Sequence, residues 1–161
     1  MKITLVDEHF MKARWDDIES ALRHTFQDSQ FNDEGYTVDN PVDFTRSAIE
    51  GGLGPDVKHL VALDESGNVM GGFFCIPTER KEGQEATDLG WFFAVPEVDR
   101  NTRREMIDTF LERVFQVLRD AGFKRIESNM GTSAGAKSLS RRYGFVHAPT
   151  AEWSNRWIRE L

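Results

Sequence analysis

Residues 87–128 read TDLGWFFAVPEVDRNTRREMIDTFLERVFQVLRDAGFKRIES, and their order decides the fold. The apolar run up to Val95 has the composition of a strand, and Pro96 ends it because proline donates nothing to a ladder. Thr102-x-x-Glu105 then fits a capping box. Behind it, Ile107, Phe110, Leu111, Val114, Val117, Leu118 and Ala121 recur at helical spacing and mark the apolar face of a long helix. Gly122 stops that helix, and Phe123–Ser128 is a further strand. Strand, helix and strand in succession predict a parallel crossover.

Upstream, residues 2–6 (KITLV) read as a short strand. Met11, Trp15, Ile18, Leu22 and Phe26 fall on one helical stripe, with Asp16, Asp17, Glu19 and Arg23 off it. The polar stretch 27–39 is loop-like. Asn40-Pro41 starts a second helix, with Asn40 as its cap and Pro41 at the first helical position. Phe44, Ala48 and Ile49 supply its buried face, and Gly51, Gly52, Gly54 and Pro55 end it. An antiparallel run follows: strand His59–Leu63, a turn at 64–68, strand Val69–Pro77, a charged hairpin loop at 78–86, and strand Thr87–Val95. Gly71-Gly72 within a strand indicates a bulge or a close backbone approach.

Downstream, a helix over Ser133–Tyr143 ends at Gly144, and two short strands follow near 145–148 and 152–160. Trp153, Trp157 and Leu161 also have the spacing of a terminal helix or of an interface, such as that of a homodimer. The order β-α-α-β-β-β-α-β-α-β-β is α+β (mixed α/β). It predicts a central mixed, mostly antiparallel sheet of about seven strands flanked by about four helices. The 161 residues fit a single domain, 1–161.

Hydrophobic residues make up 39% of the chain and include twelve Phe and four Trp, which argues against disorder. A net charge of -7 argues against non-specific nucleic-acid binding. The one cysteine, Cys75, has no internal partner and sits in an apolar strand, where it reads as a buried, inert thiol. His9, His24, His59 and His147 are scattered without metal-ligand spacing, so no metal is expected. No apolar stretch is long enough to span a bilayer, so no membrane partner is expected. The first residues carry Asp7 and Glu8 and no long apolar run, and a cytoplasmic protein is the expectation.

Two motifs, Val95-Pro96-x-x-x-Arg100 and Ala136-x-x-Leu139-x-x-x-Tyr143-Gly144-Phe145, occur in the right order around helix-strand-helix. With them the chain resembles the GNAT superfamily of N-acyltransferases over nearly its whole length, its motifs concentrated in 88–145. The resemblance implies transfer of an acetyl group from acetyl-CoA to a primary amine of a small molecule or protein. It places the coenzyme pyrophosphate at the start of the long helix, where unpaired N–H groups and the positive dipole end favour an anion. Arg100, Asn101, Thr102, Arg103, Arg104 and Glu105 would surround it. The pantetheine arm would pair with free backbone groups at Phe93 and Val95, and N–H groups at Ala94 and Val95 would hold the thioester carbonyl. The family's loop glycines fall at Asn101, Arg103 and Glu105, none of which is glycine, and a Glu105 carboxylate repels phosphate. The same segment also reads as a capped helix start with a solvated arginine face.

Transfer to an amine needs a base, a donor to the oxyanion and a proton for the thiolate. Asp88 and Glu127 are the candidate bases, and each also reads as a solvated carboxylate at a strand end. Ser140 stands where many relatives carry an acidic Tyr. Tyr143 lies three residues further and also reads as a core aromatic. Asp33 and Glu34 suit a cationic acceptor, and Trp91 is a candidate wall of the acceptor groove. Two other functions stay open beside the enzyme: a non-catalytic GNAT-like binding or structural module, and a GNAT-fold enzyme with a different acyl donor.

Overall fold

The computed structural model describes residues 1–27, 37–51, 56–131 and 133–161. In chain order the elements are β1 (Lys2–Val6), α1 (Glu8–Ala13), α2 (Trp15–Phe26), α3 (Asp39–Ile49), β2 (Val57–Leu63), β3 (Val69–Pro77), β4 (Ala86–Thr87), β5 (Trp91–Ala94), α4 (Arg100–Asp120), β6 (Arg125–Asn129), α5 (Ala134–Arg142), β7 (Val146–His147) and β8 (Arg156–Glu160). The class is α+β, and β4 with β6 is the parallel pair among otherwise antiparallel ones.

The expected central sheet is divided. One four-stranded sheet has the order β1-β2-β3-β5 and the other β4-β6-β8-β7. The cause lies in the expected strand Thr87–Val95, which is two strands. Thr87 pairs with Ile126 in the second sheet, and Trp91 pairs with Phe74 in the first. Between them Gly90 takes φ 89°. A Cβ there would stand 2.2 Å from the Phe74 carbonyl oxygen, so only glycine lets the chain change sheets at this point.

α4 holds the two sheets on one core. Met106, Ile107, Phe110, Leu111, Val114, Phe115 and Leu118 are buried on it. They pack with Leu60 and Phe73 of the first sheet and with Ile126 and Trp157 of the second. Met106 and Phe115 join the stripe expected from the sequence, whereas Val117 and Ala121 are only partly buried. On the other face of the first sheet, Met11, Ile18, Leu22, Val42 and Ile49 cover Val61, Phe74 and Phe93.

The single first helix is instead two, broken at Arg14, whose guanidinium reaches the Gly67 carbonyl at 2.8 Å and Asp17 at 2.8 Å. α3 begins at Asp39 rather than after an Asn40 cap. Asn40 instead accepts the Thr37 amide at 2.6 Å through its side chain. Phe44 is 49% exposed, not buried, and meets Trp91 edge-on at 5.6 Å. The last segment is the strand β8, with Trp157 buried, and not a helix.

Gly71 marks the close approach expected at Gly71-Gly72. A Cβ on it would lie 2.6 Å from Met106 Sδ and 2.6 Å from the Phe93 carbonyl oxygen. The bulges flank the pair: β3 carries extra residues where Lys58↔Ile76 passes to Leu60↔Phe73 and where Ala62↔Gly71 passes to Leu63↔Val69. At the first, Cys75 stands at φ 64°, and its amide donates to the buried ring of His59 at 3.2 Å.

Candidate functional site

Because β5 and β4 belong to different sheets, β5 and β6 share no hydrogen-bonded register among the described residues. The sheets part where the chain leaves Thr87. There Ser128 of β6, almost fully buried, donates its hydroxyl to Asp88 and accepts the Leu89 amide at 2.9 Å. Asp88 also accepts from Leu89 N–H at 2.5 Å and from Gly90 N–H at 3.3 Å. The carboxylate expected as a base is thus engaged in holding the strand exchange.

The edge of β5 that faces this parting differs by one residue from the expectation. The Val95 amide donates to the Met70 carbonyl at 2.9 Å, so it is not free, and the Phe93 carbonyl points at β3. Antiparallel backbone groups alternate in direction. The N–H and C=O groups of Phe92 and Ala94 therefore face away from β3, toward the parting. Of the two expected oxyanion donors, the geometry leaves Ala94 and removes Val95.

At the start of α4 the helix cap is Asp99, not Thr102. Asp99 has extended backbone and accepts the Asn101 amide at 2.9 Å and the Thr102 amide at 3.1 Å, and the Thr102 hydroxyl donates to it at 2.5 Å. The Thr102 hydroxyl and amide hold this carboxyl below its usual range. Arg103 folds back on the loop and donates to the carbonyls of Val98 at 3.2 Å, Pro96 at 3.4 Å and Val95 at 3.5 Å. Its Nε is buried without a hydrogen-bond partner. Arg100, Asn101, Arg104 and Glu105 are exposed. Two helix-start amides expected to receive a pyrophosphate, those of Asn101 and Thr102, are thus satisfied by the chain's own anion, and Arg103 is turned to backbone carbonyls, while Arg100 and Arg104 stay exposed. A diphosphate at this helix start would compete with the Asp99 carboxylate for the same amides.

The remaining site residues are scattered. Glu127 lies between Arg125 at 2.6 Å and Arg156 at 3.2 Å, and the hydrogen bonds from Arg156 and Arg125 keep its pKa low. A carboxylate so held is a weak base. Ser140 is buried and donates back to the Ala136 carbonyl at 2.9 Å, which spends its proton on its own helix. Tyr143 donates to Asp108 of α4, and burial with that hydrogen bond pushes its pKa up to about 12. Arg142 pairs with the same carboxylate at 2.9 Å. Trp91 is half-buried at the head of β5, against Phe44. Asp33 and Glu34 lie outside the described residues. Cys75 is a buried thiol whose pKa burial pushes up to about 12. No group of acidic, His and Cys side chains suited to a metal occurs among the described residues, and no helix among them is long and apolar enough to cross a membrane.

Sequence reasoning missed Ser128, Asp99 and Asp108. Asp99 was legible as a cap, since Asp three residues before Thr102 caps as well as Thr does. The Thr-x-x-Glu spacing pointed to the wrong residue. Ser128 and Asp108 carried no local signal, because their partners lie 40 and 35 residues away.

No protein-family model and no curated protein matches the chain. Solved structures do. The C-terminal condensation domain of Ebony, in complex with beta-alanyl-dopamine, matches with a TM-score of 0.66 at 10% identity, covering 100% of each chain. The GNAT-family N-acetyltransferase YhbS from Escherichia coli, in complex with CoA, matches with a TM-score of 0.66 at 13% identity, over 99% of this chain and 80% of that one. Arylalkylamine N-acetyltransferase 2 from Aedes aegypti matches with a TM-score of 0.62 at 11% identity, over 99% of both. At such identities the likeness is one of fold.

Proposed function

We propose that this chain, whose fold is that of the GNAT acetyltransferases, transfers an acyl group from a thioester to a primary amine at the parting of β5 and β6. The carrying observation is the outward edge of β5, where the Ala94 amide is left unpaired with β3. An extended donor arm can pair with that edge as an added strand would. The same amide is aimed where the carbonyl oxygen of a thioester seated there gains charge.

In the step, the amine nitrogen attacks the thioester carbonyl carbon. The C–N bond forms, the C–S bond breaks, and the thiol leaves with the proton that the amine gives up. Glu127 is clamped and the Oδ1 of Asp88 is committed to Ser128 and two amides, so water at the parting relays the amine's proton. Trp91 and Phe44 form an apolar wall on the α3 side for the body of the amine. Two of the matched structures support this reading: an arylalkylamine N-acetyltransferase, and a condensation domain holding beta-alanyl-dopamine, itself an acylated amine.

The test is thiol release from a small acetyl thioester, S-acetyl-pantetheine, across a panel of primary amines and lysine peptides, with mass analysis of products. Amine-dependent release with a matching acetylated product is expected. Release that ignores the amine, or none across the panel, removes the reading in favour of a binding module.

A further inference from the structure

We propose that Asp99 closes the start of α4 to a diphosphate, so that the acyl donor is held by its amide-bearing thioester arm and gains nothing from a nucleotide diphosphate. The part concerning the thioester rests on the acyl-transfer reading above; the part concerning Asp99 does not.

Three observations meet at this point. The first is that two amides of the first helical turn, those of Asn101 and Thr102, already donate to one oxygen of Asp99. A second anion must displace the carboxylate or share donors with it, and two anions at one helix start repel each other. The second is Arg103. Of the three arginines on this turn, the half-buried one lies against the carbonyls of Val95, Pro96 and Val98, with Nε sealed from solvent, and Arg100 and Arg104 are exposed. To reach a ligand Arg103 would give up these contacts, and the loop after β5 would lose its tie to α4. The third is the residue type along the turn. Arg100 to Glu105 contains no glycine, so the backbone nowhere lacks a Cβ that would hold a phosphate off.

What remains beside the parting is backbone without a paired partner, the edge of β5 at Phe92 and Ala94. That surface recognises amide groups on an extended arm and is indifferent to what the arm is attached to. The donor class is therefore a thioester of a pantetheine-like thiol, whether free or carried on a larger molecule.

Two measurements on the full chain separate the parts. In the first, inorganic pyrophosphate is titrated into 15N-labelled protein to about millimolar concentration. The Asn101 and Thr102 amide resonances are expected to stay in place, and a saturable shift of both overturns the closure. In the second, calorimetry compares S-acetyl-pantetheine with acetyl-CoA on the wild type and on Asp99→Asn, which keeps an oxygen for the cap and removes the charge. On the wild type the two donors are expected to bind within about threefold of each other. On Asp99→Asn only acetyl-CoA is expected to tighten, by about fivefold or more. Acetyl-CoA binding the wild type more than about tenfold tighter overturns the proposal, as does an Asp99→Asn variant that leaves the ratio unchanged. If neither donor binds but pyrophosphate still leaves the two amides alone, the donor assignment falls with the acyl-transfer reading and the closure by Asp99 stands.

Discussion

Ser128 on β6 gives its hydroxyl proton to Asp88, at the residue where the chain leaves one sheet for the other. The same hydroxyl accepts from the Leu89 amide, so one buried side chain ties both arms of the exchange. Removing it leaves the Leu89 amide on Asp88 alone. Ser128→Ala is expected to cost about 0.5–1.5 kcal/mol of stability, the net worth of a hydrogen bond whose partners keep other contacts. Urea denaturation checks this, and an unchanged midpoint contradicts it.

Gly90 and Gly83 form a matched pair for the strand exchange. Both sit at positive φ, 89° and 77°, but nothing lies within 4 Å of a Cβ on Gly83, whereas one on Gly90 would strike the Phe74 carbonyl at 2.2 Å. Gly83→Ala should cost about 1 kcal/mol, the backbone strain alone. Gly90→Ala should cost several times as much or fail to fold. Thermal unfolding of the two variants side by side decides it, and equal losses would deny that Gly90 is needed for close approach.

His59 is buried, its Nδ1 accepts the Cys75 amide at the β3 bulge, and its Nε2 has no partner. Burial holds its pKa down to about 4. An unfolded histidine binds a proton near pH 6.5. Between these values the unfolded chain binds more protons than the folded one, so stability is complete above about pH 6.5 and falls as the pH drops toward 4. The loss is on the order of 3 kcal/mol. His59→Asn, which can still accept the Cys75 amide, should flatten the stability profile across that window. An unaltered profile would assign the acid sensitivity elsewhere.

Asp99 shifts stability in the same direction, at lower pH. Its folded pKa lies below the ordinary carboxyl value, so the cap stabilises above that value and is lost as the pH falls through the folded pKa. Asp99→Ala should lower the urea midpoint at neutral pH and narrow its difference from the wild type in acid. Asp99→Ser, another good cap, should restore most of the loss. A Ser variant no better than Ala would mean that the carboxylate does not act as a cap.

Much of the fold was legible because it rests on local periodicity. The α4 stripe follows from helical spacing, and the β2–β3 pair from apolar runs buried on both faces. The parting of the sheets was hidden. Asp88-Leu89-Gly90 interrupts an apolar run without proline, and its reason is a carbonyl of Phe74, remote in sequence, that leaves no room for a side chain. The break at Arg14 likewise depends on Gly67, 53 residues away. The candidate site was legible as a region and not residue by residue. The basic character of Arg100–Arg104 suggested a phosphate cradle, whereas Asp99 claims the amides and Arg103 turns inward, and neither is visible without the geometry. Ser140 and Tyr143 are held by hydrogen bonds to Ala136 and Asp108, which the sequence does not show.

Acyl transfer at the β5 edge depends on the Ala94 N–H. Substituting lactic acid for Ala94 by unnatural translation replaces that one N–H with an ester oxygen and keeps the methyl side chain. Amine-dependent thiol release from S-acetyl-pantetheine should fall by about a hundredfold or more while the melting temperature changes little, as expected when an oxyanion donor is removed. Unchanged release by a folded ester variant would contradict the assignment of the β5 edge as the place where the acyl group moves.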